Sequence, residues 1–135
     1  MGMLATTMNG LALQDTLENM GIATRVQTAL SMEKIGEVYN TKRSNELISK
    51  NFVTIFTCGT GNPFFSTDTA AIIRAIEIKA DIILLAKNVD GLYTKDPKKH
   101  LDAEMISKIT FKEVLERDLK AVDTAGITLC REWNK

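Results

Sequence analysis

Two stretches of this chain collect residue types that could handle phosphate, ribose and base. The first is "GTGNPFFSTD", residues 59–68, set between the apolar run "NFVTIFTC" and the helical run "TAAIIRAIEIKA". Glycine lets backbone N–H groups approach a ligand, and the start of a helix favours an anion. Asn62, Ser66 and Thr67 add hydrogen-bonding groups, and Phe64 and Phe65 could shield or stack a base. No Gly-Lys-Ser/Thr closes the loop, so it is not a Walker A loop. The second stretch is "KNVDGLYTKDP", residues 87–97, after the apolar run "DIILLA". Lys87, Asn88, Asp90, Tyr93 and Asp96 could hold a nucleotide's base and ribose, with an aspartate near a metal.

Each motif also has a plain structural reading. A Gly/Asn/Pro stretch before a helix is an ordinary turn. Asp68 and Asp123 suit helix N-caps as well as they suit catalysis. Asp90-Gly91 and Asp96-Pro97 are common turn pairs. His100 sits in a charged, solvated run, and Trp133 and the methionines suit a core or an interface.

These loops need elements to hold them. Leu4, Met8, Leu11 and Met20, with Leu17 between, predict a helix over 3–20, closed by Gly21. Gly10 inside it marks a close packing contact. "ATRVQTAL" (23–30) reads as a short strand, and 40–50 as a polar helix. Residues 52–58 and 81–86 are apolar enough for strands buried on both faces of a parallel sheet. Thr67 or Asp68 is expected to cap the next helix, with Ala71, Ile72, Ala75, Ile76 and Ile78 facing inward. "TFKE" (110–113) is a capping box opening a helix to about 118, and Asp123 caps a last helix. Alternating strands and helices make the class α/β. Ligands in such sheets sit beyond the carboxyl ends of strands, where both loops lie.

Composition bounds the partners. The chain has 135 residues, 44% hydrophobic and 25% charged, as expected of one globular domain. Seventeen basic residues balance seventeen acidic ones, which gives no electrostatic footing for nucleic acid or an anionic membrane. No apolar run approaches a membrane span, and no basic leader opens the chain. Cys58 and Cys130 lack metal-ligand spacing, so no protein metal site is expected, and both fit small buried thiols in a reducing cytoplasm. Only three convincing strands accompany several helices, so the chain reads as the middle of a larger sheet domain.

Four segments together carry a family resemblance: "MGMLATTMNGLALQD", "GTGNPFFSTDTAA", "VDGLYTKDPKK" and "EVLERDLKAVDTAGITLCR". The chain resembles the bacterial-type UMP kinases of the amino-acid kinase superfamily from Met1 to Arg131. The resemblance implies a three-layer α/β/α sandwich around a mostly parallel sheet, present here as a single partial domain, 1–135. It implies magnesium-dependent transfer of the ATP γ-phosphoryl group to UMP, giving UDP and ADP. Thr60, Gly61, Asn62, Pro63, Phe64, Phe65, Ser66 and Thr67 match the UMP loop. Lys87, Asn88, Asp90, Tyr93 and Asp96 match the ATP loop, with Lys87 where the family usually has threonine. Asp68 and Asp123 match catalytic acids. The 3–20 helix matches the dimer contact of a family that assembles as hexamers.

The family's lysine-bearing phosphate loop, its Gly-Gly-Gly-Asn motif with a following arginine, and its closing strands are not found in this sequence. The isolated chain is therefore expected to be weakly active or inactive. Competing readings are an acetylglutamate or aspartate kinase, which the Phe pair opposes, a non-catalytic uridine-nucleotide-binding protein, and a truncated product without a role of its own.

Overall fold

In a computed structural model, the structure describes residues 1–88, 90–119 and 123–133. They gather into two compact units, Met1–Ala80 and Asp81–Lys135.

The first unit is a parallel sheet with helices on both faces. Its elements are α1 (Gly2–Asn19), β1 (Thr24–Thr28), β2 (Glu37–Val38), α2 (Thr41–Ser49), β3 (Val53–Thr57) and α3 (Thr67–Glu77). The strand order is β2-β1-β3. β1 and β3 run parallel, with Val26 beside Ile55 and Gln27 beside Phe56. Side chains of a strand alternate between faces. Val26, Ile55 and Thr57 meet α1 around Gly10. Gln27 turns to α2, where its Oε1 accepts from Ser44 Oγ at 2.6 Å.

α1 closes as the sequence predicts. Gly21 takes φ +79°, and Ile22 N–H returns to the Leu17 carbonyl at 2.9 Å. Its inward face is built from small residues, with Gly10 at the close contact the sequence suggests. Thr7 and Gly10 are the buried residues, whereas Leu4 is 50% and Met8 72% exposed. The reason is the spacing between layers. A Cβ on Gly10 would stand 2.5 Å from Thr57 Cγ2, so only small residues fit at this depth. The leucine–methionine stripe faces outward instead.

α2 opens on Asn40, whose side chain accepts from Arg43 N–H at 3.0 Å. Tyr39 packs edge-on against Phe56, with centroids 5.5 Å apart. The Arg74 guanidinium lies 3.7 Å above the Tyr39 ring. Glu77 accepts from both Tyr39 and Arg74 at 2.6 Å, which ties the last turn of α3 to the sheet. Burial pushes the Tyr39 phenol above its ordinary pKa, and Glu77 adds to the shift.

Three expectations need correcting. β3 is not buried on both faces: Val53 is exposed and Thr54, Ile55 and Phe56 are half-buried, because β3 is an end strand among the described residues. α3 is capped by Ser66, which accepts from Thr69 N–H at 3.0 Å, rather than by Thr67 or Asp68. Its buried residues are Thr69, Ala70, Ile72 and Ala75, while Ala71 is exposed and Ile76 and Ile78 are half-buried.

A further correction lies in the second unit. Residues 81–86 join no ladder, and Ile82 and Leu84 are 73% and 88% exposed. An apolar run becomes a strand only where a neighbour takes up its backbone groups, and the described residues place none beside it. The stretch over 87–97 holds one strand of a hairpin. β4 (Leu92–Tyr93) pairs antiparallel with β5 (Met105–Ile106). Beyond it, α4 (Phe111–Glu116) opens with the expected capping box. Glu113 accepts from Thr110 N–H at 3.0 Å and from its hydroxyl at 2.7 Å. α5 (Thr124–Trp133) packs with α4, and Val114, Ile127 and Cys130 are buried. Cys58 and Cys130 are both buried free thiols, as expected. No described helix is long and apolar enough to cross a membrane.

Candidate functional site

The β3–α3 loop leaves the sheet through left-handed backbone. Cys58, Gly59 and Gly61 take φ of +66°, +59° and +78°. The Gly61 N–H bonds the Cys58 carbonyl at 3.0 Å. A Cβ on Gly61 would stand 3.1 Å from the Ala29 carbonyl, so the turn needs glycine both for its dihedral and for space. Cys58 holds the strained position because its neighbours fix it. Its N–H donates to Thr6 Oγ1 at 2.9 Å, and its buried thiol lies 3.1 Å from Thr7 Oγ1. The loop is thus anchored from α1, a link absent from any local motif.

Further along, Thr60 Oγ1 donates to the Asn62 carbonyl and accepts from Asn62 N–H, both at 3.2 Å. Phe64 takes φ +70° and is fully exposed, and Phe65 is 57% exposed. An exposed aromatic in left-handed backbone has neither burial nor local geometry in its favour. Residues 62–67 are all exposed, and Thr67 opens α3. Asp68 sits in the first turn of that helix, half-buried. Thr60 to Asp68 thus lie along one loop that runs into the first turn of α3.

The second unit holds a cavity of about 670 Å³. Lys87, Asp90, Tyr93 and Asp96 line it, while Asn88 is not among its lining residues. Tyr93 Oη donates to Asp90 Oδ1 at 3.0 Å, and this bond holds the phenol above its ordinary pKa. Asp96 also shapes its own turn, accepting from Lys98 N–H at 3.0 Å. Sequence reasoning missed the opposite wall: Arg117, Asp118 and Leu119, at the end of α4, line the same cavity. The capping box marked where α4 begins, but no local signal directs its end towards residues more than twenty positions earlier.

Asp123 is an N-cap. Its Oδ1 accepts from Gly126 N–H at 2.7 Å. Among the described residues, no three His, Cys, Asp or Glu side chains gather to hold a metal ion.

Residues 1–134 match the amino acid kinase family. The chain belongs to that family. Among solved structures, a UMP kinase from Ureaplasma parvum is similar at a TM-score of 0.92 and 40% identity, over 98% of this chain and 57% of that one. A UMP kinase from Bacillus anthracis is similar at 0.94 and 34%, over 98% of this chain and 55% of that one. This amino acid kinase chain thus spans little more than half the length of those enzymes. Its α/β fold with a parallel sheet is theirs over the shared part.

Proposed function

We propose that this chain carries nucleotide-binding loops of a UMP kinase, an enzyme that transfers the γ-phosphoryl group of ATP to UMP to give UDP and ADP in pyrimidine nucleotide synthesis. The observation that carries the reading is the β3–α3 loop. Its left-handed backbone and close glycine turn carry an exposed Phe pair just before a helix N-terminus. Similarity to two UMP kinases supports the choice of acceptor.

In this reading Thr60 to Thr67 receive UMP. The backbone N–H groups and the α3 dipole draw its phosphate, and Phe64 and Phe65 close over the nucleotide. Lys87, Asn88, Asp90, Tyr93 and Asp96 receive ATP, with magnesium bound to its phosphates as part of the substrate. Phosphoryl transfer depends on alignment and charge neutralisation rather than covalent catalysis. Asp68 and Asp123 act as catalytic acids that orient neighbouring groups as charge develops. Because the family's phosphate-loop lysine and its arginine are not in this sequence, turnover by the 135-residue chain alone is expected to be weak or absent. The outward stripe of α1, with Leu4, Met8, Leu13 and Met20 exposed, is the proposed contact between copies, first as a dimer and then as a hexamer. The proposed setting is cytoplasmic.

The test is an NMR titration of isotope-labelled chain with UMP, with CMP as control. UMP is expected to move the resonances of residues 59–68 while CMP leaves them in place. Equal responses to both, or none, would overturn the proposal.

A further inference from the structure

We infer that Arg117 is a phosphate-binding residue of the cavity beside Tyr93 and Asp96, and that it grips the anionic chain of a nucleotide held there. The inference rests on the nucleotide reading of that cavity.

Three cationic side chains line the cavity: Lys87, Lys95 and Arg117. Lys95 is committed to Asp102, at 2.5 Å. Lys87 has a partner of its own. Arg117 stands apart from both. Its nearest carboxylate oxygen is Glu113 Oε1, at 4.0 Å, beyond hydrogen-bond reach. The other oxygen of Glu113 is taken up by the capping box. No described residue accepts a hydrogen bond from the Arg117 guanidinium, whose planar fork suits phosphate oxygens.

The backbone beneath Arg117 is held firmly. Its N–H bonds the Glu113 carbonyl at 3.0 Å. The next two N–H groups, of Asp118 and Leu119, return to Leu115 and Val114 at 3.2 and 3.1 Å. Asp118 takes φ +49° to complete this turn. Arg117, Asp118 and Leu119 all line the cavity from this turn.

The plain alternative is a structural one. A cation at a helix C-terminus favours the dipole, and an exposed i,i+4 pair with Glu113 adds little. The two roles separate in a binding experiment. Affinity of the full chain is measured by calorimetry for ATP with magnesium and for adenosine, in wild type, Arg117→Gln, Arg117→Lys and Glu113→Gln. Arg117→Gln is expected to weaken ATP at least about tenfold, as loss of a charge-assisted hydrogen bond does, and to flatten the salt dependence of binding. Adenosine should bind as before, which also reports an intact cavity. Arg117→Lys should lose less than Arg117→Gln, and Glu113→Gln should leave ATP affinity unchanged.

Equal ATP affinity in wild type and Arg117→Gln would overturn the role of Arg117 and leave the kinase reading standing. Parallel losses for ATP and adenosine would overturn the phosphate contact. A wild-type chain that binds UMP but neither ATP nor adenosine would overturn the nucleotide reading of this cavity, and the inference with it.

Discussion

Substituting Gly10 by alanine should destabilise the first unit, although helix propensity alone argues the opposite. Alanine in place of glycine inside a helix gains about 1 kcal/mol. Against that gain stands the 2.5 Å separation between the new Cβ and Thr57 Cγ2, far inside the roughly 3.5–4.0 Å of ordinary carbon contact. Thr57 cannot yield easily. It is buried and β-branched, and its hydroxyl donates to the Gln27 carbonyl at 3.3 Å. Ile55 Cγ2, at 3.4 Å from the same Cβ, blocks an easy shift along the strand. Overpacking at such sites costs about 1–3 kcal/mol. Taking the upper part of that range and subtracting the propensity gain leaves a net loss of about 1–2 kcal/mol. Urea unfolding followed by circular dichroism would measure it. Thr57→Ser removes the offending methyl and keeps the hydroxyl. In that background Gly10→Ala should become neutral or stabilising by up to about 1 kcal/mol, a coupling of roughly 2 kcal/mol between the sites. A Gly10→Ala variant more stable than wild type would refute the seating of α1 on β3. Thr57 ends β3 immediately before the candidate acceptor loop, so the single variant should also weaken UMP binding.

Phe64→Gly relieves left-handed strain of about 1 kcal/mol at a side chain that is fully exposed. Stability should hold or rise while UMP affinity falls, and unchanged affinity would remove the Phe pair from the site. Thr110→Ala should cost about 1 kcal/mol at neutral pH as the α4 cap is lost. The Thr110 backbone N–H chiefly, then its hydroxyl, holds the Glu113 carboxyl below its ordinary 4.5. Glu113's contribution is therefore complete above that value and is lost as pH falls through the lowered one. The stability gap between wild type and Glu113→Gln should close in acid, and a gap that persists there would contradict this assignment. Leu4→Glu with Met8→Lys places charge on the outward α1 stripe and should convert any dimer to monomer by sedimentation without unfolding the chain.

Local signals explain what could be read from sequence alone. Gly21 after a helical run, the Thr110–Glu113 box and Asp123 before α5 each satisfy their own backbone, so they look the same in sequence and structure. The loop over 59–68 was legible for a related reason. Left-handed positions favour glycine, and two of the four between Cys58 and Phe64 are glycine. The readings that failed depended on neighbours. Spacing predicted the helix α1 but not which of its residues would be buried, and the gap above β3 admits only Thr7 and Gly10 there. Residues 81–86 carry a strand's composition, but composition cannot supply the ladder that makes a strand. The wall formed by Arg117 and Leu119 was invisible for the same reason, since it arises where the end of a helix meets a distant loop. Chemistry concentrated within one loop can be read residue by residue. Chemistry shared between segments appears only when packing brings them together, and Arg117 is where that difference bears most on the candidate site.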